Sequence, residues 1–215
     1  MNNGNQCKKL SCVDCHVMKC DDTNLKAKAF PEFCLTANMA QEVLDRAMSF
    51  YKEEENKAVT LAAANVEAEF YCKLTRIEEI AEFAKKMGYK KLGIATCVGL
   101  LKEAGIIAKI LRNKGFEVYG AVCKVGTQKK VDVGIDSSCE VVGCNMCNPI
   151  LQALLLNEEK TDFNIIVGLC VGHDSLFMKY SDALVTTLIA KDRVLGHNPA
   201  AALYLSESYY AKVLK

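Results

Sequence analysis

The sequence predicts an α/β fold: a Rossmann-like, four-stranded, mostly parallel sheet with crossover helices, preceded by a helical layer and a Cys-rich, metal-stapled N-terminal segment. Three observations carry this. From Lys90 onward, short apolar runs alternate with amphipathic stretches, the pattern of parallel strands joined by helices. Residues 39–88 instead repeat their apolar positions at helical spacing. Residues 1–38 show little periodicity but hold Cys7, Cys12, Cys15, Cys20 and Cys34. The chain therefore divides into a Cys-rich metal-binding segment (1–38), a helical region packing on the sheet (39–88) and an α/β domain (89–215).

In the first segment, turn formers such as Asp21, Asp22 and Pro31 separate the cysteines. Cys12 and Cys15 form a chelating pair, because two intervening residues let both thiolates reach one ion from a tight turn. Cys20 and Cys34 complete four ligands, and the spacing suits zinc and an iron–sulfur cluster equally. A loop-rich segment this short could hardly keep a fixed shape without such a staple. His16, beside Cys15, could serve as a ligand, but reads first as a polar surface residue.

In the helical region, Ala40, Leu44, Ala47, Met48 and Tyr51 fall on one stripe, and the charged run 52–57 interrupts it. A second helix is expected over 58–72, with Cys72 as a small buried hydrophobe. A third starts at a capping box, Thr75 with Glu78, and buries Ile77, Ile80, Ala81 and Ala84 before Gly88 stops it. Strands are then expected over 91–97, 116–123, 163–170 and 184–190. The helix after the first strand ends at Gly115, which suits a left-handed stop. A polar excursion over 124–143 is long for a plain crossover, and such loops often cover a site. Asn148 and Pro149 are fitted to cap and begin a helix. A short helix is expected near 175–180, and the last from Asn198–Pro199 towards Val213.

Bulk composition narrows the function. A hydrophobic share of 51% and a charged share of 25% over 215 residues suit a soluble globular protein. A formal net charge of +1 gives no electrostatic case for nucleic acid or an anionic membrane. No apolar run has the length of a membrane span, and the N-terminus lacks the apolar core of a signal peptide, so a cytoplasmic location is expected. Twelve cysteines in a reducing compartment point to metal binding or redox chemistry rather than disulfides.

Ligands of open parallel sheets bind beyond the carboxyl ends of the strands. Cys97, Cys123 and Cys170 fall at that edge, and Cys147 joins them from a helix start whose dipole favours a thiolate. Together they suggest one soft-metal or cluster site. Cys139 or Cys144 could take the place of Cys123, whose side chain could instead enter the core. Gly168, Gly172, His173 and Asp174 follow the third strand; Lys191, Asp192, Arg193 and His197 follow the fourth. His173, Asp174, Lys191 and His197 are the candidates for acid–base or anion-binding roles, against a plainer reading in which they cap helices and brace loops.

The segments CNPILQALLLN, GLCVGHDSLF and KDRVLGHNPAAALY resemble a family of uncharacterised, predicted metal-binding proteins of bacteria and archaea. The resemblance covers nearly the whole chain, including CVDCHVMKC and FPEFC near its start. It implies metal binding without an established activity. Its pattern falls on Cys12, Cys15, Cys20 and Cys34, on Cys97, Cys123, Cys147 and Cys170, and on the residues from His173 and Lys191 onward. Cys7, Cys72, Cys139 and Cys144 lie outside it.

The leading expectation is an iron–sulfur protein, with a 4Fe-4S cluster at the sheet edge and zinc or a second cluster in the N-terminal segment. It would transfer electrons to a redox partner protein or act on a small anionic molecule. Alternatives are a zinc-stapled module that binds a small ligand, and a thiol or sulfur-transfer enzyme using Cys147.

Overall fold

The computed structural model describes residues 9–17, 20 and 30–215. Cys7, Asp21 and Asp22 lie outside the described residues. The chain forms two compact units, Met1–Leu61 and Ala62–Lys215.

In the first unit, Ser11 donates its N–H to the Asp14 carboxylate at 3.0 Å and closes a single 3-10 turn, Cys12–Asp14. A short helix α1 (Leu35–Asn38) starts directly after Cys34. The Asn38 amide folds back to donate to the carbonyls of Glu32 and Cys34, both at 2.8 Å. Helix α2 (Gln41–Phe50) keeps the expected stripe but buries none of it; Leu44, Met48 and Tyr51 are exposed. Helix α3 (Glu54–Phe70) starts earlier than expected, because Glu54 and Glu55 suit the positive end of a helix and extend it backwards. It also ends earlier. Cys72 is therefore not a buried helical residue: it is exposed, in a left-handed turn with φ 56°.

The second unit is built on a parallel sheet: β1 (Lys91–Thr96), β2 (Glu117–Val122), β3 (Phe163–Val167) and β4 (Leu184–Ile189), in the order β2-β1-β3-β4. The inner strands β1 and β3 are covered on both faces, as parallel strands require, whereas the edge strands β2 and β4 are partly open. Helix α4 (Arg76–Lys86) opens at the expected capping box, with the N–H and hydroxyl of Thr75 both donating to Glu78, at 2.9 and 2.6 Å. Phe83 of α4 lies against Phe163 of β3, ring centroids 5.3 Å apart. Helix α5 (Leu101–Asn113) follows β1, α6 (Pro149–Glu158) precedes β3, and α7 (His173–Tyr180) precedes β4. Right-handed crossovers running in opposite directions, β1 to β2 and then β2 back past β1 to β3, put α5 and α6 on opposite faces.

On the α6 face Gly93, having no side chain, leaves room for the side chains of Asn164 and Leu156. A Cβ there would stand 1.9 Å from Asn164 Oδ1 and 2.9 Å from Leu156 Cδ1. Asn164, wholly buried, takes the Thr161 hydroxyl at 2.8 Å and donates to Ser181 Oγ at 2.8 Å, so its polar groups are met. Gly115 ends α5 with φ 94°, as expected.

The last helix departs from expectation. Helix α8 is only Ala200–Tyr204, followed by turns and a 3-10 turn, Ala211–Leu214. Tyr204 and Tyr209 are 82% and 91% exposed, so no sustained apolar stripe holds a longer helix there. No helix among the described residues is long and apolar enough to cross a membrane.

Candidate functional site

Topology decides where the sheet-edge cysteines meet. The chain leaves β1 towards β2, then returns across β1 to β3, so the strand order reverses between β1 and β3. Ligands of such sheets settle beyond the carboxyl ends of the strands at that reversal. Cys97 is the first residue after β1, and Cys123 the first after β2. The Asn148 N–H donates to the Cys123 carbonyl at 2.7 Å, which brings the start of α6, and with it Cys147, to the end of β2. Asn148 also caps α6 as expected, accepting the Leu151 N–H at 2.9 Å, with Pro149 in the first turn.

The thiols of Cys97, Cys123 and Cys147 form a row with Cys123 in the middle. Backbone amides point at the sulfurs: Gly99 N–H lies 3.4 Å from Cys97 Sγ, and Val98 N–H 3.3 Å from Cys123 Sγ. The Cys147 thiol is pulled down to about 5, first because Cys123 donates a hydrogen bond to it; this and the charges of Lys124 and His173 outweigh burial. Cys123 is correspondingly pushed above the ordinary thiol range by giving that hydrogen bond and by its burial. At Cys97 burial opposes ionisation, but Lys191 and the Gly99 amide outweigh it and lower the thiol. Ionisation is therefore favoured at Cys147 over its neighbour Cys123.

Cys170 stands in the turn after β3, half-buried, and its Sγ takes Arg193 Nη2 at 3.0 Å. Cys139 and Cys144 are exposed; Cys144 donates to Asn145 Oδ1 at 3.7 Å. The Cys123 side chain, not either of theirs, thus stands beside Cys97 and Cys147. The excursion after β2 is stitched by two lysines, Lys124 to the Asn145 carbonyl and Lys130 to the Cys139 carbonyl.

Other sequence candidates divide. Lys191 lies beside Cys97, and the charge of His173 acts through space on Cys147, so both belong to the surroundings of the site. Asp174 takes the Ser175 N–H at 2.8 Å within the first turn of α7, whose cap is Gly172. Asp192 takes the N–H groups of Val194 and Leu195, and His197 Nδ1 accepts the Asp192 N–H at 3.1 Å. His197 also sits at φ 67°, held by its own N–H to the Asp192 carbonyl at 2.8 Å. Asp192 and His197 brace the loop after β4.

Two further residues escaped the sequence reading. Lys124 directly follows Cys123, and its position after a strand-end cysteine was the available signal. Gln152, the one polar residue in the apolar run ILQALLL, is wholly buried. It donates to the carbonyls of Thr96 (3.1 Å) and Ala121 (2.7 Å), while its Oε1 has no protein partner. A buried acceptor left unmatched costs about 1–3 kcal/mol.

In the first unit, Cys12, Cys15, Cys20 and Cys34 line one hollow of about 180 Å³ with Val17, Phe30 and Phe33. Val17 N–H points at Cys15 Sγ from 3.4 Å, the same two-residue amide-to-sulfur geometry as Gly99 to Cys97. Cys20 Sγ lies 3.8 Å from Thr36 Oγ1. Among the described residues no three His, Cys, Asp or Glu side chains stand close enough to grip one ion.

A family model described as a protein of unknown function, DUF1847, matches residues 34–188. An uncharacterised protein of Methanocaldococcus jannaschii is 48% identical over 205 residues, which cover 92% of this chain and 98% of that protein. The family match takes in nearly all of the sheet and, among other cysteines, Cys34, Cys97, Cys123, Cys147 and Cys170, and the chain belongs to the DUF1847 family.

Proposed function

We propose that this protein binds soft metal through two thiolate sets and that its principal centre is an iron–sulfur cluster, of the 4Fe-4S kind, held by Cys97, Cys123, Cys147 and Cys170. Cys12, Cys15, Cys20 and Cys34 hold zinc or a second cluster. The observation that carries the reading is the convergence of thiols from three separate elements, the ends of β1 and β2 and the start of α6, at the reversal of strand order. The donor set fits. A tetrahedral ion gathers its sulfurs about 2.3 Å from one point, whereas a cluster binds each cysteine through a different iron and spreads them further apart. Lys124, Lys191 and Arg193 each already face a sulfur and offset the negative charge of a thiolate-bound cluster. Cys170 has to exchange Arg193 for the metal.

A bound cluster supplies one-electron transfer, or an open iron for chemistry on a small anion. The partners implied are a redox protein or such an anion, in the cytoplasm, where the eleven free cysteines among the described residues stay reduced. Protein purified without oxygen should be coloured and hold iron and acid-labile sulfide. Colourless protein free of both contradicts the reading, and zinc alone favours the stapled small-ligand module instead.

One observation favours a second reading. The Cys147 thiolate beside the Cys123 thiol is the arrangement of a thiol or sulfur-transfer enzyme. Turnover of a thiol substrate by metal-free protein, abolished in Cys147→Ser, would support it.

A further inference from the structure

Three separate elements bring Cys97, Cys123 and Cys147 together, and one side chain touches all three elements. Gln152 projects from the second turn of α6, the helix that Cys147 precedes. Its single amide nitrogen donates to Thr96 O at 3.1 Å and to Ala121 O at 2.7 Å. Thr96 directly precedes Cys97, and Ala121 lies two residues before Cys123. Thr96 O also accepts the Cys123 N–H at 2.8 Å, so it is the carbonyl through which the two strand ends are joined. Gln152 is 0% exposed, in a helix face otherwise buried through Ala153 and Leu156. An apolar residue of similar size would pack there with no unmatched acceptor, whereas glutamine leaves Oε1 without a protein partner. A packing role alone gives no reason for an amide at this position.

We propose that Gln152 is a positioning residue, clamping the carboxyl ends of β1 and β2 to α6 so that the thiols of Cys97, Cys123 and Cys147 are held at fixed spacing. This rests on the metal-centre reading for its consequence, since a rigid thiol spacing matters most where the sulfurs must match a cluster. The clamp itself does not depend on which group the thiols hold.

The test uses the full chain carrying Gln152→Leu, beside Leu156→Ala as a control. Leu156 is equally buried on α6 but touches neither strand-end carbonyl through a polar group, so its truncation destabilises without releasing the clamp. Metal-free protein is treated at neutral pH with dibromobimane, a short reagent that bridges neighbouring thiols, and the Cys123–Cys147 crosslink is quantified by peptide mapping. Metal-loaded protein is assayed for iron retained against a competing chelator. Gln152→Leu should lose most of the crosslink and weaken iron retention about 10-fold, the lower end of what losing a residue behind a metal ligand costs. Leu156→Ala should lose thermal stability and keep both readouts.

Wild-type crosslinking and iron retention in Gln152→Leu overturn the proposal, as does equal loss of crosslinking in both variants. If the wild-type protein retains no iron at the sheet edge, the metal-centre reading fails while the crosslink still decides the clamp. Should Gln152→Leu not fold, Gln152→Met, which keeps the length of the unbranched side chain but carries no donor, takes its place with the same expected outcomes.

Discussion

The most specific consequence of the geometry is a cysteine that behaves unlike an ordinary thiol in slightly acidic solution. Cys147 is held at about 5 by the hydrogen from Cys123, with help from Lys124 and His173. At pH 6 a thiol with the ordinary value of about 8.5 is roughly 0.3% thiolate, whereas Cys147 is about 90% thiolate, a gain of roughly 300-fold in the reactive form. Weaker basicity makes the thiolate a poorer nucleophile, which takes back roughly 40-fold for a Brønsted slope of about 0.45. Alkylation of Cys147 at pH 6 should then run about 7-fold faster than that of free cysteine. The assay is iodoacetamide labelling of metal-free protein between about pH 4 and 9, followed peptide by peptide, with the rate set by thiolate fraction. Cys123→Ala should move the inflection upward most, and Lys124→Met should move it upward less, in keeping with the order of causes. An inflection near the ordinary thiol value in the unaltered protein would refute the reasoning, because it would mean that Cys123 and Cys147 do not share a hydrogen.

The same pair dictates how the metal-free protein responds to pH. The lowered Cys147 contributes stability that is present above its unfolded value and is lost as pH falls towards about 5. The raised Cys123 does the reverse, contributing fully below its unfolded value and losing that contribution as pH rises beyond it. Their sum puts the pair's greatest contribution near about pH 8.5, seen as a maximum in urea midpoint that Cys123→Ala with Cys147→Ala flattens. Gly93→Ala should destabilise by about 1–3 kcal/mol in urea unfolding, since its Cβ would force Asn164 and Leu156 aside; an unchanged midpoint would show that β1 and β3 are not packed as described. Cys12→Ser with Cys15→Ser should remove metal from the first unit and leave sheet-edge iron intact, and loss of all metal would contradict two separate sets.

Signals that depend on near neighbours were the ones readable in advance. The Thr75–Glu78 box, Gly88 as a helix stop, Gly115 as a left-handed stop, and Asn148–Pro149 as a helix start each rest on backbone chemistry within a turn, and each stands in the structure. The inner strands were equally readable, because parallel strands covered on both faces are continuous apolar runs, although β3 ends at Val167 and leaves Cys170 in the following turn. The expected strand ends put Cys97 and Cys123 at one edge. What distant neighbours decide was less visible. Cys72 looked like a core residue because its helix was drawn two residues too long. The last helix, expected from Asn198–Pro199 towards Val213, has no packed face to sustain it beyond Tyr204. Lys124 and Gln152 have roles only once β1, β2 and α6 are folded together, since their partners lie on other elements. The pairing of Cys170 with Arg193 was hidden for the same reason, as the two are joined by a turn, a helix and a strand.

The central claim is that four cysteines at the sheet edge hold an iron–sulfur cluster. It is tested most directly by iron and acid-labile sulfide per chain in anaerobically prepared Cys12→Ser/Cys15→Ser protein, where the first-unit set is disabled. About four irons and four sulfides per chain, lost on adding Cys97→Ser and Cys147→Ser, is the predicted result. Iron and sulfide absent from the first variant, or retained after the sheet-edge substitutions, would contradict it.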